Sequence, residues 1–407
     1  MKILAPLALA VTLTASLAKP PPQGNADPVV TSVALPDQGS AGETFLTRSS
    51  DGSTLLSWVE QTDGEARMVF YAWKNGAWST PKEIARGANW FVNWADVPSI
   101  AAHPNGTMMA HWLERLGDAR YAYGVRVARS TDGGNTWSEP EWLHADRSPT
   151  EHGFARIEPY QDGFLAVWLD GSGYATERRE MSVHARTIDA HGSFGPERAV
   201  DTRACDCCPT ELVVLPGGKA GTIYRDRSGE EQRDMSISVF DGDDWTAPSS
   251  LNEDGWMINA CPVNGPAADV SGDAVAAAWF TMPSGQPEVW ARFLDADDLT
   301  HAGEPVRVDV ARPAGRVAVR MVSPDEAMVL WMEGGEAGAA GLYLRRVYRD
   351  GTMSDAHRIV ANSTGRAVGY PRLERLEDDW LVTWTEPGET REDPNRLRAA
   401  RVAWPSS

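Results

Sequence analysis

The sequence is poor in cysteine and in positive charge. Only 4 of its 407 residues are cysteine, and a core as large as this chain can form needs no disulfide to fold. Its 38 lysines and arginines are outnumbered by 57 acidic residues, which gives a net charge of −19 at pH 7. Nucleic acids and anionic membranes are bound by basic patches, so the charge argues against both as partners.

Long hydrophobic runs are missing too. The apolar stretch from Ile3 to Leu13 is too short to span a bilayer, and no later segment could cross one. Because Lys2 precedes this stretch and the small residues Ser16-Leu17-Ala18 follow it, residues 1–18 predict a cleavable signal peptide. Residues 19–28 then form a proline-rich leader, and no cysteine follows the stretch to carry a lipid. We expect a periplasmic or secreted protein without membrane insertion.

Common enzyme signatures are absent as well. The sequence has no nucleotide-binding glycine loop, no H-E-x-x-H zinc helix and no G-x-S-x-G nucleophile turn. The 8 histidines are scattered without metal-ligand spacing. No enzyme class is therefore indicated by a local motif.

A short apolar run that ends in an aromatic residue recurs seven times. Successive members are 52 to 56 residues apart, and a fixed period in this range is typical of stacked repeats and propellers. The repeated aromatic residues are Trp58, Trp112, Trp168, Tyr224, Trp279, Trp331 and Trp384. The period predicts a single domain over residues 29–407 that folds as an all-β, seven-bladed β-propeller.

Each repeat has the pattern of a four-stranded antiparallel blade. In the second repeat two extended segments flank Asn105-Gly106, a strong hairpin signal, and two further strands follow. About fifty residues per repeat is the size expected for a propeller blade. The segment Val29–Leu35 is typical of a lone strand, whereas the last repeat stops after a third strand, Leu397–Trp404. We therefore expect the N-terminal strand to complete the last blade, which would remove open sheet edges.

A turn in the second repeat resembles the Asp-box of the sialidase-like, BNR-repeat β-propellers. The motif residues are Ser130, Asp132, Gly134, Thr136 and Trp137. The aspartate can accept hydrogen bonds from N–H groups of its own turn, the glycine supplies a positive φ, and the tryptophan packs between strands. The resemblance implies the propeller fold and a peripheral place for the motif, away from the ligand face. Sialidases have six blades, so six blades is the alternative to the seven counted here.

The resemblance also implies where sialidase-like catalytic residues would lie. Sialidases hold the substrate carboxylate with three arginines and use a Tyr/Glu nucleophile pair with an aspartic acid. The first of these arginines is missing here, because the corresponding segment reads Gly42–Leu46. Phe154–Pro159 and Tyr370–Leu373 are partial matches to an arginine-bearing segment. The candidates that could imitate part of a catalytic site are Tyr224, Arg225 and Asp226.

Acidic residues recur two positions after the repeated aromatic residue. They are Glu60, Glu114, Asp170, Asp226, Glu333 and Glu386, with Thr281 as the exception. This position ends the second strand on the face where the chain enters each blade, so six carboxylates would surround one mouth of the propeller. Such a ring would attract a cation or a cationic or hydroxyl-rich ligand; alternatively, the carboxylates cap strand ends or pair with arginines. His152, just before the third blade, is the histidine that could reach this mouth.

Aromatic residues occur in the loops that lead into blades two and five. They are Trp90, Trp94 and Trp256. Exposed on the same face, these rings would stack on sugars or shield a metal; alternatively, they pack between blades.

The four cysteines fall on the same face. Cys205, Cys207 and Cys208 precede the first strand of blade four, and Cys261 occupies the corresponding loop of blade five. Adjacent blades would place these loops side by side. An oxidising compartment favours a disulfide, either Cys205–Cys261 or Cys207–Cys261. Clustered thiolates would instead bind copper or zinc, and a redox role of the vicinal pair is the third alternative.

These patterns lead us to expect a binding protein whose ligand site lies at the cysteine-containing loops of blades four and five. The ligand would be a thiophilic metal such as copper or zinc, a glycan or other small molecule, or another extracytoplasmic protein. No other cofactor is indicated. The alternative is an enzyme, a divergent glycoside hydrolase of the exo-sialidase type or a lyase, with carboxylates from different blades as acid and base.

Overall fold

A computed structural model describes residues 27–36, 38–335, 340–390 and 393–404 of the chain. The predicted signal peptide, residues 1–18, lies outside the described residues, as does most of the proline-rich leader. Strands dominate, and the helices found in these ranges are short 3-10 segments at Gly171–Ala175, Pro216–Gly218 and Arg366–Val368. None of these helices is long and apolar enough to cross a membrane.

Within the described part of the chain, β-strands form seven antiparallel sheets. In chain order the strands are β1 (Val29–Val33), β2 (Ser40–Arg48), β3 (Thr54–Thr62), β4 (Glu65–Lys74), β5 (Ala77–Trp78), β6 (Lys82–Gly87), β7 (Ser99–Ala102), β8 (Met108–Arg115), β9 (Tyr123–Ser130), β10 (Glu141–Trp142), β11 (His152–Tyr160), β12 (Gly163–Asp170), β13 (Ser182–Ile188), β14 (Arg198–Asp201), β15 (Glu211–Val214), β16 (Ala220–Arg225), β17 (Met235–Phe240), β18 (Ser249–Asn252), β19 (Ala267–Ser271), β20 (Ala274–Thr281), β21 (Glu288–Asp295), β22 (Asp298–Ala302), β23 (Val306–Arg307), β24 (Pro313–Ser323), β25 (Glu326–Glu333), β26 (Gly341–Tyr348), β27 (His357–Ala361), β28 (Arg372–Leu376), β29 (Asp379–Glu386) and β30 (Arg396–Ala403).

Each sheet is one blade in which consecutive strands lie side by side. Strands β2–β6 form blade one, β7–β10 blade two, β11–β14 blade three, β15–β18 blade four, β19–β23 blade five, β24–β27 blade six, and β28–β30 with β1 form blade seven. In blades one and five the outer position is shared by two short strands. The predicted seven-bladed propeller is confirmed, and the six-bladed alternative is excluded.

The N-terminal strand completes the last blade. β1 pairs antiparallel with β30, from Val29 opposite Ala403 to Val33 opposite Ala399. Blade seven therefore takes its outer strand from one end of the described chain and its three inner strands from the other. This closure was predicted, and it joins the first and last repeats without leaving the edge of β30 open.

The first strands of the blades line a central channel. Neighbouring first strands contact one another around the whole ring: β2, β7, β11, β15, β19, β24 and β28. Because the strands of a meander alternate in direction, the connections between blades and the loops between second and third strands lie on one face, the top face. The bottom face carries the hairpins that follow the first strands and the Asp-box turn.

Hydrophobic cores lie between neighbouring blades. One cluster joins Phe280 of blade five to Trp331 of blade six, and another joins Met109 of blade two to Trp168 of blade three. Several of the repeated tryptophans are fully buried: Trp58, Trp168, Trp279 and Trp331. Each large aromatic ring removes roughly 150–250 Å² from water, so the repeated residue stabilises the contact between blades.

The turn after β9 has the hydrogen bonds predicted for an Asp-box. Asp132 Oδ1 accepts from the backbone N–H groups of Thr136 (2.9 Å) and Asn135 (3.0 Å), and Asp132 Oδ2 accepts from Oγ1 of Thr136. These bonds, first among them that from the Thr136 N–H, lower the pKa of Asp132 to about 2. Trp137 packs edge-on against Phe70 of blade one, so the turn also connects two blades.

The two glycines of this turn provide a test of that packing. Both have positive φ, +69° at Gly133 and +78° at Gly134, but only a Cβ at Gly134 would overlap the Phe70 ring. Both Gly133→Ala and Gly134→Ala should cost about 1–2 kcal/mol of backbone strain. Gly134→Ala should lower the free energy of unfolding by roughly a further 1–3 kcal/mol through overpacking. Urea unfolding of the two variants measures this difference, and equal losses would show that Phe70 moves aside without cost.

Candidate functional site

The top face carries most of the exposed apolar side chains. Among the described residues, the large hydrophobic side chains that are exposed include Val29 and Val30 of the outer strand β1. The others all lie in top-face loops: Tyr121, Tyr174, Met257 and Val310. Each belongs to a different loop, so the top face exposes apolar surface at several separate points.

The predicted ring of carboxylates is held inside the individual blades. Glu60, Asp170 and Glu333 each accept a hydrogen bond from the indole N–H of the tryptophan two residues earlier, at 2.9, 3.0 and 2.8 Å. The three carboxylates are almost fully buried. A buried indole N–H needs an acceptor, and the recurring acidic residue provides it. Blade five supports this explanation. There Thr281 takes the place of the acidic residue, and the indole N–H of Trp279 donates instead to Asp254 (2.8 Å).

The remaining members of the ring also have partners in their own blades. Glu114 pairs with Arg126 (3.4 Å), Glu386 pairs with Arg398, and Asp226 accepts from Ser236 Oγ (2.9 Å). The alternative in which the carboxylates cap strand ends or pair with arginines therefore describes their contacts. A role in ligand binding stays a prediction that these contacts do not support.

The aromatic residues of the connecting loops pack against other side chains. Trp90 stacks on Trp112 with ring centres 5.5 Å apart, and Trp94 stacks on Tyr370 at 6.3 Å. Trp256 is buried beneath the guanidinium of Arg225, 4.7 Å from its ring centre. The contacts of these rings thus agree with the alternative in which they pack between blades.

Tyr224, Arg225 and Asp226 lie at the end of β16, and the first two are fully buried. The Tyr224 hydroxyl donates to Asp201 Oδ2 (2.6 Å), and burial together with that carboxylate raises its pKa well above the usual range. Arg225 donates to three backbone carbonyls, including that of Phe280 in blade five (2.6 Å). These contacts connect blade four to blades three and five and leave neither side chain open to a substrate, so a catalytic role for Tyr224, Arg225 and Asp226 stays an unsupported prediction.

The four cysteines come together on the top face, as the circular arrangement of blades predicts. They form two disulfides, Cys205–Cys208 within one loop and Cys207–Cys261 between blades four and five. The Cα atoms of the second pair are 6.1 Å apart. Paired sulfurs offer no thiolate to a metal, so a copper or zinc site here would require reduction of both bonds and stays a prediction. The same loop presents Asp206, which accepts from the Tyr174 hydroxyl (2.7 Å).

A cavity of about 60 Å³ occupies the upper part of the central channel. Three arginines line it, including Arg320, which is paired with Glu374. The guanidinium carbons of the other two, Arg156 and Arg372, lie 4.8 and 5.0 Å from the ring centre of Phe45. Arg156 is paired with Glu158 (2.7 Å) and Glu211 (2.9 Å). Arg156 and Arg372 belong to the two segments that partially match the arginine-bearing segment of sialidases, and the structure brings them together.

Arg372 lacks an acidic partner. Its Nε donates to the carbonyl of Thr44 (3.1 Å), and within the described part of the chain no carboxylate is in ion-pair contact with it. Its side chain is half-buried at the cavity, and burial, followed by repulsion from Arg156, lowers its pKa to about 10. Glu211 attracts the guanidinium without touching it and is already paired with Arg156, so the charge of Arg372 is only partly offset. The cavity is therefore a favourable place for an anion.

Asp96, Tyr123 and Glu151 form a hydrogen-bonded group between blades two and three. The Tyr123 hydroxyl lies 2.9 Å from Asp96 Oδ2 and 2.8 Å from Glu151 Oε1. A phenol has one proton to donate, so one of these contacts needs a second proton, carried by a carboxyl group. Burial raises the pKa of Asp96 to about 7 and that of Glu151 to about 8. Asp96 also lines the cavity that contains Arg372, so a proton donor and a cation border the same space.

Residues 60–287, more than half of the chain, match the profile of the BNR repeat-like domain family. The chain belongs to this family. No curated protein sequence matches it. Among solved structures, the polysaccharide lyase Uly1 is similar to this BNR repeat-like protein over 91% of this chain and 90% of that chain, with 11% sequence identity and a TM-score of 0.55.

Two further structures are similar over most of the BNR repeat-like chain. The α-L-arabinofuranosidase arb93a from Fusarium graminearum is 13% identical, with 89% of this chain and 93% of that chain covered and a TM-score of 0.49. A variant of the NanB sialidase from Streptococcus pneumoniae is 9% identical, with coverages of 89% and 85% and a TM-score of 0.48. The match to the BNR repeat-like domain family confirms the predicted resemblance to BNR-repeat β-propellers. At 11% identity the likeness to the polysaccharide lyase structure extends to the fold alone.

Two groups in this BNR repeat-like propeller are not evident from sequence spacing. Asp96, Tyr123 and Glu151 come from a connecting loop, the start of β9 and the residue before β11. His152 and His184 converge on Asp170 from neighbouring strands of blade three, with the nearer ring nitrogen at 3.0 Å. The only signal for either group is that its residues sit at the top ends of adjacent strands, which becomes visible once the register of the blades is known.

The two disulfides should contribute unequally to the stability of the BNR repeat-like propeller. Cys207 and Cys261 are 54 residues apart, whereas Cys205 and Cys208 are 3 apart. Closing the longer loop restricts the unfolded chain more, so Cys207→Ser with Cys261→Ser should lower the free energy of unfolding by about 4 kcal/mol. Cys205→Ser with Cys208→Ser should lower it by about 2 kcal/mol. Denaturant unfolding without reductant tests this order, and the reverse order would contradict it.

The Asp96–Tyr123–Glu151 group should make stability depend on pH. The pKa values of both carboxyls are raised on folding, so their contribution is greatest below the unfolded value near 4 and is lost as the pH rises towards 7–8. Asp96→Asn with Glu151→Gln keeps both groups neutral at all pH values. Between pH 5 and pH 8 the free energy of unfolding of the native protein should fall by roughly 1–3 kcal/mol more than that of the double variant. Glu386→Gln, at an exposed position, is the control, and parallel pH profiles for all three proteins would contradict the prediction.

Proposed function

We propose that this propeller binds a carboxylate-bearing saccharide at the top of its central channel. The observation that supports the proposal is the guanidinium of Arg372, which borders the cavity without an acidic partner. A ligand carboxylate would supply the missing counter-charge and could accept two parallel N–H bonds from the planar guanidinium. Arg156, already neutralised by two glutamates, would add a second cation beside the same ring of Phe45.

The position of Arg372 indicates which part of the ligand would enter the cavity. A carboxylate fits the space of about 60 Å³, and the guanidinium with which it would pair lines that space. The ring would stay on the top face, where Tyr121 and Tyr174 expose aromatic surface for stacking. This arrangement favours a saccharide whose acid group projects from the ring or from its end.

We also propose that the protein is exported to an oxidising compartment. Disulfides persist in oxidising environments, and the two formed by the four cysteines support an exported protein. Export would also give the protein access to extracellular glycans. One structural relative is a polysaccharide lyase, but at 11% identity that relation supports the fold and leaves the ligand to be argued from the site.

A glycan-cleaving activity is the second candidate, and the Asp96–Tyr123–Glu151 group favours it. Cleavage of a glycosidic bond needs a proton donor near the leaving oxygen, and a carboxyl group with a raised pKa is suited to that task. Burial raises the pKa of Asp96 to about 7, so it would supply such a proton at the edge of the cavity that would take the ligand carboxylate. In this version the arginines position the substrate and the carboxyls exchange protons with it.

Binding to Arg372 is tested by calorimetry with matched ligands. A sialylated or uronic-acid oligosaccharide should bind, and the same oligosaccharide with its carboxylate reduced to an alcohol should bind at least about 30-fold more weakly, the loss expected when one partner of an enclosed charge pair is removed. Arg372→Met should reduce affinity for the acidic ligand by a similar factor and leave affinity for the reduced one unchanged. Arg198→Met, on the outer strand β14, is the control.

Two results would decide against the proposal. Equal affinity for the acidic and reduced ligands would show that no carboxylate is recognised. Unchanged affinity in Arg372→Met would place the ligand elsewhere, provided that the variant retains the native circular dichroism spectrum. Sulfated oligosaccharides in the same titration distinguish a general anion site from one selective for carboxylates. Product release from the bound saccharide, lost in Asp96→Asn while binding persists, would establish the enzymatic version.

A further inference from the structure

Blade three brings a histidine and two carboxylates together at its second, third and fourth strands. Asp170 is the last residue of β12, His184 lies on β13, and Glu197 immediately precedes β14. One ligand atom of each residue lies within 4.8 Å of the others. Nδ1 of His184 is 2.9 Å from Glu197 Oε1 and 4.0 Å from Asp170 Oδ2. This group is separate from the disulfides and from the lining of the central cavity.

Other side chains and backbone groups fix the orientation of both carboxylates. Asp170 accepts from the indole N–H of Trp168 (3.0 Å) and from the backbone N–H of Ser172 (3.0 Å). Glu197 Oε2 accepts from the backbone N–H of Ala145 (2.9 Å), which leaves Oε1 directed at His184. Hydrogen bonds of this kind hold metal ligands in place and reduce the entropy lost when an ion binds.

The group brings two carboxylates together, and one of them is fully buried. Asp170 lies 3.0 Å from His152 Nδ1, and one of its oxygens is within 4.8 Å of an oxygen of Glu197. A divalent ion between the two carboxylates would offset their mutual repulsion.

The donor atoms indicate which ion. One imidazole nitrogen and two carboxylate oxygens suit zinc, whereas calcium and magnesium prefer oxygen alone. Metal–ligand distances of about 2.0–2.2 Å imply ligands roughly 3.4 Å apart in a tetrahedral site, a value between the two distances from His184 Nδ1. The side chains of His184 and Glu197 are 16% and 19% exposed, so water can reach a fourth position. We propose that Asp170, His184 and Glu197 bind a zinc ion in blade three.

The test uses the full chain with its disulfides intact, stripped of metal by a chelator and then titrated with zinc chloride. We expect binding of about one ion per chain and a rise in the melting temperature. His184→Gln and Glu197→Gln should each weaken zinc binding at least 10-fold, a loss within the range reported even for residues outside the ligand set. His301→Gln, at a largely exposed position on blade five, should bind zinc as the native protein does.

In a second experiment, cobalt is substituted for zinc to identify the type of ligand atom. The visible spectrum of the cobalt protein should be that of a tetrahedral site without thiolate charge-transfer bands, and Cys207→Ser with Cys261→Ser should leave it unchanged. Thiolate bands, or loss of the metal in that double variant, would place the ion at the cysteines and overturn the proposal. Absence of zinc binding at micromolar concentration, or retention of the ion by both His184→Gln and Glu197→Gln, would overturn it equally. Glu197→Gln alters a partly exposed side chain, so it provides the test if His184→Gln does not fold.

Discussion

The propeller depends on a buried tryptophan whose indole N–H is bonded to a carboxylate at the end of the same strand. Trp58, Trp168 and Trp331 show the complete pair, and their rings belong to the cores that join neighbouring blades. A buried N–H without an acceptor would destabilise the folded state by about 1–3 kcal/mol. The acidic residue removes this cost in the cores that contain the three tryptophans. The indole N–H of Trp279 also has a carboxylate acceptor, Asp254, which lies outside the recurring series.

Because of this constraint, the recurring carboxylates stabilise the fold. The recurring carboxylates are occupied by the indoles and by arginines, so they contribute little free negative charge to the top face. A charged group without an ion-pair partner among the described residues lies elsewhere, at Arg372 in the channel. An overall charge of −19 therefore coexists with a local positive centre, because the field inside a narrow cavity is set by the nearest groups.

The period of the repeated aromatic residue predicted the blade number, and hairpin signals such as Asn105-Gly106 predicted the meander. The lone strand Val29–Leu35 and the incomplete last repeat predicted the closure by β1. The proximity of Cys207 and Cys261 followed from the same circular geometry, but their pairing did not, because spacing leaves several connectivities open. The role of Glu60, Asp170 and Glu333 was not predictable from their period, since a repeated carboxylate has the same spacing whether it faces a ligand or an indole. The group around Tyr123 depends on three elements from two blades, and only their register brings Asp96 and Glu151 to one hydroxyl.

The pairing of β1 with β30 determines where attached sequences would leave the molecule. Val29 lies opposite Ala403 in the outermost pair of blade seven, so both ends of the described chain reach the rim of the disc. A short linker could join them, and new termini opened at a bottom-face hairpin would then preserve all seven sheets, as circular permutation requires. Because β30 ends and β1 begins at the bottom face, a fusion partner joined at either end of the described chain would leave the mouth of the channel on the top face clear.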